Sequence, residues 1–304
     1  MIIVITGSNG FTAKYLAEYI KSISSDHVIY GIDLASESRC SSVDKYFSIA
    51  EMSQLFDYLN HSEDKIKVFH LAGLLKSGSI EKLIEVNVLG TAKYIELFKK
   101  LQSLLVFVNI GSSSEYGIQE EKQLNENLAP NPVLPYGISK LLQSELVLCS
   151  SKIYDFKAIT TRTFNLIGPG LSVDFIIGRL VNEFIKIKNG EKEFCEIGRT
   201  DSIRNFIDVR NAVKIYWELS EKGESGAVYN VGHPESYSID NILNILSSIT
   251  GTKPKLKNIN SQVSKSDINY QYADLGKTMG LINKFTYLKI EESLRNMVNY
   301  NIAI

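Results

Sequence analysis

Cysteine is scarce in this chain, and the few cysteines form no pattern. Cys40, Cys149 and Cys195 are spread over 304 residues, and an odd number cannot close a complete set of disulfides. Their spacing also lacks the short intervals of a metal site. We therefore expect reduced cysteines that pack against the core, no bound metal and a cytoplasmic location.

An excess of one charge and long apolar runs are also missing. Lysine and arginine number 33 against 34 acidic residues, so the formal net charge is −1. This balance argues against binding to nucleic acid or to a membrane surface. No apolar run approaches the ~20 residues of a membrane span, and the chain opens on an apolar strand without a basic leader. We expect a soluble, unprocessed protein whose partner is a small molecule.

What the sequence does contain is a regular alternation of apolar runs and amphipathic helical segments, which is typical of an α/β fold. Residues 2–5 form the first such run, and a glycine turn leads from them into a helix. Gly7 permits a tight turn, Gly10 lets backbone amides approach a pyrophosphate, and the small Ala13 lets the helix pack on the strand. This arrangement indicates a dinucleotide-binding turn.

The next two apolar runs extend the same interpretation. Residues 27–32 lead to Asp33, at about the distance expected for an acid that binds the adenosine ribose. A carboxylate accepts hydrogen bonds from a 2′-hydroxyl and repels a 2′-phosphate, so Asp33 favours NAD(H), while Arg39 keeps NADP(H) as an alternative. Residues 68–71 form a strand that ends at small residues, and His70 within it is expected to be a core residue. The candidate cofactor-binding residues here are Gly7, Asn9, Gly10, Phe11, Asp33, Leu71, Ala72 and Gly73.

Tyr136 and Lys140 are four positions apart, so on a helix their side chains lie on one face. A lysine cation beside a tyrosine favours the phenolate, which makes the phenol a proton donor and acceptor nearer pH 7. A buried strand, residues 104–110, runs into a serine cluster that begins at Ser112. Because ligands of open parallel sheets bind beyond the carboxyl ends of the strands, we expect the substrate beside this cluster.

Taken in order, these segments resemble the extended short-chain dehydrogenase/reductases that act on nucleotide-diphosphate sugars, and the resemblance covers essentially the whole chain. It is most similar in pattern to the reductases of GDP- or dTDP-linked 4-keto-6-deoxyhexoses. The matching segments are Thr6-Gly7-x-x-Gly10-Phe11-x-x-Ala13, Asp33, Phe69-His70-Leu71-Ala72-Gly73, Asn87-Val88-x-Gly90-Thr91, residues 112–117, Glu126, Tyr136-x-x-x-Lys140, Arg162-x-x-Asn165-x-x-Gly168-Pro169 and Arg204-Asn205-Phe206-Ile207-Asp208-Val209.

The resemblance implies roles for individual residues. Tyr136 is the acid/base at the sugar oxygen, Lys140 binds the nicotinamide ribose and acidifies Tyr136, and Ser112 hydrogen-bonds the reacting carbonyl. An amide and a guanidinium match positions that contact the substrate's diphosphate. The implied substrate-binding residues are Ser113, Ser114, Asn165 and Arg204.

Three reactions share this frame: 4-keto reduction, 4-epimerisation and 4,6-dehydration. The dehydratases of the family carry an acid at the position of Ser114, and adjacent side chains of an extended chain point to opposite faces, so Glu115 is a poor substitute. We therefore expect a 4-keto-sugar reductase, with a nucleotide-sugar 4-epimerase as the alternative and a dehydratase third. A non-catalytic NAD-binding regulator is disfavoured because Tyr136 and Lys140 are both present.

The predicted fold is a doubly wound parallel Rossmann sheet with a smaller, mixed α/β C-terminal lobe. We assign residues 1–170 to the dinucleotide-binding domain, with 204–232 returning to it, and residues 171–203 and 233–304 to the substrate-binding lobe. Residues 80–101 are predicted to form one long amphipathic helix. This helix and the one that carries Tyr136 have surplus apolar residues, which predicts a homodimer with a four-helix seam.

Overall fold

Seven parallel strands form the central sheet of the computed structural model, which describes residues 1–258, 268–282 and 285–303. Their order across the sheet is β11-β7-β5-β4-β1-β2-β3. The bounds of these strands are Ile2–Thr6 (β1), Val28–Asp33 (β2), Lys45–Ser48 (β3), Ile66–His70 (β4), Leu104–Ile110 (β5), Ala158–Thr163 (β7) and Val228–Val231 (β11). The chain winds outward in both directions from β1 and β4, so the predicted doubly wound sheet is confirmed.

Helices cover both faces of this sheet, which explains why its central strands are apolar on both sides. One face packs against α1 and α7 through residues such as Leu16 and Val213. The other packs against α2, α4 and α5 through Leu55, Phe98 and Val147. The helices are Phe11–Ile23 (α1), Met52–Asn60 (α2), Ile80–Ile84 (α3), Gly90–Phe98 (α4), Pro135–Ile153 (α5), Ile176–Lys188 (α6), Val209–Lys222 (α7), Ile239–Thr250 (α8), Gly276–Leu281 (α9) and Ile290–Ala303 (α10).

The single helix predicted for residues 80–101 is interrupted. Between α3 and α4 lies a π-helical turn, Glu85–Leu89, which buries Asn87. The Asn87 amide accepts a hydrogen bond from the Leu74 N–H at 2.6 Å and donates one to the Leu74 carbonyl at 2.9 Å. It also donates to the Ser139 hydroxyl of α5. Wider turns of this kind are frequent at functional sites, and here the turn fixes the segment that follows β4.

A second group of buried apolar residues lies in the C-terminal half and includes Leu180, Phe184, Leu246 and Leu294. The smaller strands are Gln123–Leu124 (β6), Asn165–Ile167 (β8), Phe194–Ile197 (β9), Ile203–Asp208 (β10), Ser236–Ser238 (β12), Lys255–Asn258 (β13) and Tyr272–Ala273 (β14). Strand β10 pairs with β8 and β12, whereas β11 joins the large sheet. The division into two domains stays a prediction. Within the described ranges no helix combines the length and apolar character needed to cross a membrane.

Candidate active site

A cavity of about 380 Å³ opens at the carboxyl ends of the central strands, where β1 and β4 meet and the winding of the sheet changes direction. This is the place at which doubly wound sheets bind ligands. Its polar side is formed by the turns after β1, β4 and β5 and by the start of α5. The site residues predicted from the sequence that line it are Gly7, Gly10, Phe11, Leu71, Gly73, Ser112, Ser113, Ser114, Tyr136, Lys140 and Asn165.

The glycine turn has no room for side chains. Gly7 has a φ of 67°, and a Cβ atom there would lie 2.9 Å from both the backbone nitrogen and the Cα of Ala72. The Gly10 N–H donates to the Gly7 carbonyl at 3.0 Å, and α1 begins at the next residue. No acidic residue occupies the first turn of α1, so the free backbone N–H groups of that turn can donate hydrogen bonds to a bound anion. These residues fit the pyrophosphate of a dinucleotide.

Asp33 lies at the end of β2 and is hydrogen-bonded to the backbone of the glycine turn. Its carboxylate accepts hydrogen bonds from the N–H groups of Asn9 at 2.8 Å and of Leu34 at 2.7 Å. The Asn9 side chain in turn accepts from the Arg39 N–H at 2.7 Å. Asn9, Arg39 and Lys14 line a second, smaller cavity of about 180 Å³ beside the first. Arg39 and Lys14 thus line the cavity beside the glycine turn, whereas Asp33 lines neither cavity and is joined to the second one through its hydrogen bond with Asn9.

Ser112 follows β5 and opens a tight turn of Ser113–Glu115. Its hydroxyl accepts a hydrogen bond from the Ser114 N–H at 3.1 Å and is hydrogen-bonded to the Tyr136 phenol. Ser113 is buried and accepts a long hydrogen bond from Gln271. The structure therefore brings Ser112, Tyr136 and Lys140 together in the lining of one cavity, and their roles stay predictions.

The pKa of Tyr136 differs from the sequence expectation. Burial raises it to about 12 and the nearby Glu115 adds to the rise, while the hydrogen bond from Ser112 lowers it. Lys140 was expected to lower the pKa of Tyr136. That prediction is wrong, because the net effect of the surroundings is to raise this pKa. The reason is burial, which also lowers the pKa of Lys140 to about 8, opposed by Glu115. The phenol is accordingly a proton donor at neutral pH.

Lys140 is held by contacts that sequence reasoning missed. Its ammonium donates to the Ile110 carbonyl at 2.7 Å and to the side-chain oxygen of Gln143. The Gln143 amide donates to the Thr91 hydroxyl at 2.8 Å. Gln143 and Thr91 are both buried. A glutamine three residues after the lysine, and so on the same helix face, was the only signal available in the sequence.

His70 continues this buried network toward the glycine turn. The Thr91 hydroxyl donates to the Asn87 carbonyl, so its contact of 2.8 Å with His70 Nε2 requires that nitrogen to be the donor. The other ring nitrogen, Nδ1, accepts a hydrogen bond from the Thr6 hydroxyl at 2.8 Å, and that hydroxyl accepts one from the Ala72 N–H. Burial lowers the pKa of His70 to about 3. It is a neutral core residue, as expected.

The two residues predicted to contact the substrate's diphosphate differ in position. Asn165 lines the cavity, and its amide donates to the Asn205 carbonyl at 2.9 Å. Arg204 is not among the lining residues, and one of its contacts is to the Ile203 carbonyl. It precedes Phe206, which does line the cavity, by two residues of β10, or about 7 Å. The contact of Arg204 with the substrate stays a prediction.

An apolar wall, which the sequence analysis did not foresee, faces the serines and Tyr136. It comes from the segment after β7, the start of α6 and β10. Its residues are Leu166, Leu171, Phe175, Ile176, Ile177 and Phe206.

A glycine turn on a doubly wound sheet, beside a Ser–Tyr–Lys set, defines a dinucleotide-dependent enzyme. The chain belongs to the NAD dependent epimerase/dehydratase family, whose model matches residues 3–232. It is 26% identical to GDP-6-deoxy-D-mannose reductase of Pseudomonas aeruginosa, over 97% of this chain and 95% of the relative. It is also 26% identical to GDP-6-deoxy-D-talose 4-dehydrogenase of Aggregatibacter actinomycetemcomitans, over 98% and 97%.

The solved structure of RMD from Pseudomonas aeruginosa complexed with NADPH has the same fold, with a TM-score of 0.85 and 24% identity. The superposition covers 100% of this chain and 99% of that one. The resemblance drawn from the sequence is thereby confirmed at the level of the family.

Proposed function

We propose that this enzyme is an NAD(P)H-dependent reductase of a nucleotide-diphosphate 4-keto-6-deoxy sugar. Family membership makes it an NAD(P)-dependent enzyme. The two curated relatives named above, each matched over nearly its whole length, carry names that describe oxidation or reduction of GDP-linked 6-deoxyhexoses. This supports a nucleotide-sugar substrate and favours redox chemistry at one carbon of the sugar.

The observation that carries the proposal is the absence of a carboxyl group from the cavity, among the residues described. Dehydration needs an acid to protonate the departing hydroxyl. Ser114 occupies the position where such an acid is expected, and Glu115 does not line the cavity. The Glu115 carboxylate turns into the protein interior, where it accepts the Ser112 N–H. Tyr136 is left as the proton donor to the oxygen of the reacting carbonyl, which fits reduction.

The proposed mechanism assigns tasks to Ser112, Tyr136 and Lys140. When bound, the nicotinamide cofactor supplies the hydride. The Ser112 hydroxyl donates a hydrogen bond to the keto oxygen and polarises it. Tyr136, whose raised pKa keeps it protonated at neutral pH, gives its proton to the oxygen as the alkoxide forms. Lys140 stabilises the phenolate that remains and binds the cofactor's ribose.

A 4-epimerase would use the same tyrosine, as a base in its first half-reaction, so the two functions differ in whether the cofactor is consumed. Purified protein incubated with GDP- or dTDP-linked 4-keto-6-deoxyhexoses and NADH should consume NADH in a one-to-one ratio with product. Interconversion of UDP-glucose and UDP-galactose without added reductant would instead support the epimerase.

We further propose that the enzyme is a homodimer. Leu89 of the π turn is 55% exposed, and Ile138 and Leu142 of the adjacent α5 are each 44% exposed. Ile138 and Leu142 are four residues apart and share a helix face, so a two-fold axis would pair these helices. Light scattering should give about twice the 34.1 kDa of one chain, and Leu142→Glu should return it to the monomer mass. A monomeric wild type would contradict this proposal.

A further inference from the structure

Glu115 is a fully buried carboxylate beneath the serine turn, 0% exposed. One of its oxygens accepts hydrogen bonds from the Ser112 N–H at 2.9 Å and from the Ser144 hydroxyl at 3.0 Å. The other lies 3.4 Å from Nε of Arg162, which is also buried. The side chain therefore reaches back under its own turn and connects β5, α5 and β7.

The position of this carboxylate is fixed from several sides. A Cβ atom on Gly111 would lie 2.6 Å from Glu115 Oε1, so the glycine leaves just enough room for it. Arg162 is itself held in place, because its guanidinium carbon Cζ lies over the Tyr116 ring, 4.5 Å from the ring centre. A buried, paired charge is costly to keep, and it contributes little to stability compared with apolar residues of the same size. Its presence directly under Ser112 points to a role in the site.

We propose that Glu115 is a positioning residue of the active site: it fixes the backbone of Ser112, and it is the counter-charge that keeps Lys140 protonated beside Tyr136. The proposal rests on the assignment of Ser112, Tyr136 and Lys140 as the catalytic residues. It gives Glu115 a task different from proton transfer to the substrate, because the carboxylate does not line the cavity.

Lys140 lies close to this carboxylate. Ser144, which donates to Glu115, is four residues after Lys140 on the same face of α5. The Lys140 ammonium donates to the carbonyl of Ile110, the neighbour of Gly111.

The charges around the carboxylate support the same role. Burial raises the pKa of Glu115 to about 7, while the Ser112 N–H, Arg162 and Lys140 oppose the rise. Conversely, burial lowers the pKa of Lys140 and the charge of Glu115 opposes the fall. The titratable and charged groups that face Glu115 are Lys140 and Tyr136 of α5 and Arg162 of β7. Removal of the Glu115 charge should therefore favour neutral Lys140.

The test is Glu115→Gln, which keeps the shape and an acceptor for the Ser112 N–H but removes the charge. In protein with isotope-labelled lysine, the NMR titration midpoint of Lys140, assigned with Lys140→Met, should fall by about one pH unit. The alkaline limb of the kcat profile should move in the same direction. The titration needs no substrate, so its result is independent of whether the proposed reaction is right.

Glu183→Gln is the matched control, because Glu183 is another buried carboxylate that accepts a backbone N–H and pairs with a lysine, but it does not line the cavity. It should leave the Lys140 midpoint unchanged. An unchanged midpoint in Glu115→Gln would overturn the proposal. If Glu115→Gln fails to fold, Glu115→Asp provides the test. In this variant the alkaline limb of the kcat profile should stay in place while kcat itself falls. Wild-type kcat, or a shifted limb, in Glu115→Asp would refute the role.

Discussion

The two sides of the cavity are built in different ways. On the polar side, Ser112, Tyr136 and Lys140 lie on segments whose side chains and backbone are joined by buried hydrogen bonds to several elements. The apolar wall combines buried side chains, those of Leu171, Ile177 and Phe206, with Phe175 and Ile176, which are 42% and 37% exposed at the start of α6.

This difference separates chemistry from fit. Proton transfer requires reacting groups held to a fraction of an ångström, and the buried network from Gln143 through Thr91 to His70 provides that rigidity. An apolar wall, whose side chains carry no hydrogen-bonding groups, contributes contact area to a ligand without directional bonds. Substitutions on the polar side should therefore change kcat, and substitutions in the apolar wall should change KM.

The largest effect is expected for Tyr136→Phe, which keeps the ring and removes the proton donor. Loss of one acid/base catalyst costs ~10²–10⁴-fold in rate, so kcat should fall by that factor while cofactor affinity is retained. Stopped-flow turnover and fluorescence titration with NADH measure the two quantities. Tyr229→Phe is the control, since that buried phenol accepts the Glu224 N–H away from the cavity. Full activity in Tyr136→Phe would refute the mechanism.

The polar side was largely predictable because its signals are local in sequence. The spacing of Tyr136 and Lys140 and the glycines after β1 identify it without any knowledge of the fold. By contrast, the contact of Glu115 with Arg162 joins residues 47 positions apart, and no spacing rule anticipates it. The π turn at Asn87 was missed for a similar reason, because the partners that stabilise it lie on other elements.

The apolar wall and the position of Arg204 could not be predicted because they depend on how the C-terminal half folds. The segment of β10 was identified by its motif, yet the pairing of this strand with β8 and β12 decides where its residues lie relative to the cavity. A motif match gave Arg204 a role at the substrate, which stays a prediction, but it gave no sign that Phe206 of the same strand lines the cavity. Patterns in sequence identify elements better than they identify which elements meet.

A second prediction concerns the glycine turn, which forms part of the polar side of the cavity. Gly7→Ala forces a side chain into left-handed backbone at φ 67° and against Ala72, so cofactor affinity should fall about tenfold to a hundredfold. Gly190→Ala is the matched control, because Gly190 has a φ of 76° but no atom within 4 Å of the added Cβ. It should lose stability without loss of cofactor affinity. Calorimetric titration with NADH checks both. Equal affinity in the two variants would contradict the close-approach explanation.

Asp33 should change the ratio of the initial rates with NADH and with NADPH by about a factor of ten. We expect NADH to give higher initial rates than NADPH, because the carboxylate repels a 2′-phosphate, and Asp33→Asn to reduce that preference. The alternative is set by Arg39 and Lys14, which border the neighbouring cavity. A clear NADPH preference in the wild type would show that these cations dominate over the carboxylate, and Arg39→Ala should then abolish it.

The smallest effect is expected on the apolar wall. Phe175→Ala removes contact area from the ligand but no directional bond, so KM for the nucleotide sugar should rise about fivefold, the equivalent of roughly 1 kcal/mol of lost apolar burial. The value of kcat should change by less than about twofold, because no group that moves a proton is touched. Val173→Ala serves as the matched control, since Val173 is exposed in the same segment but does not line the cavity. Initial-rate kinetics at saturating NADH separate the two constants. A fall in kcat as large as that of Tyr136→Phe would show that this wall also orients the reacting carbon, and the separation of chemistry from fit would then be wrong.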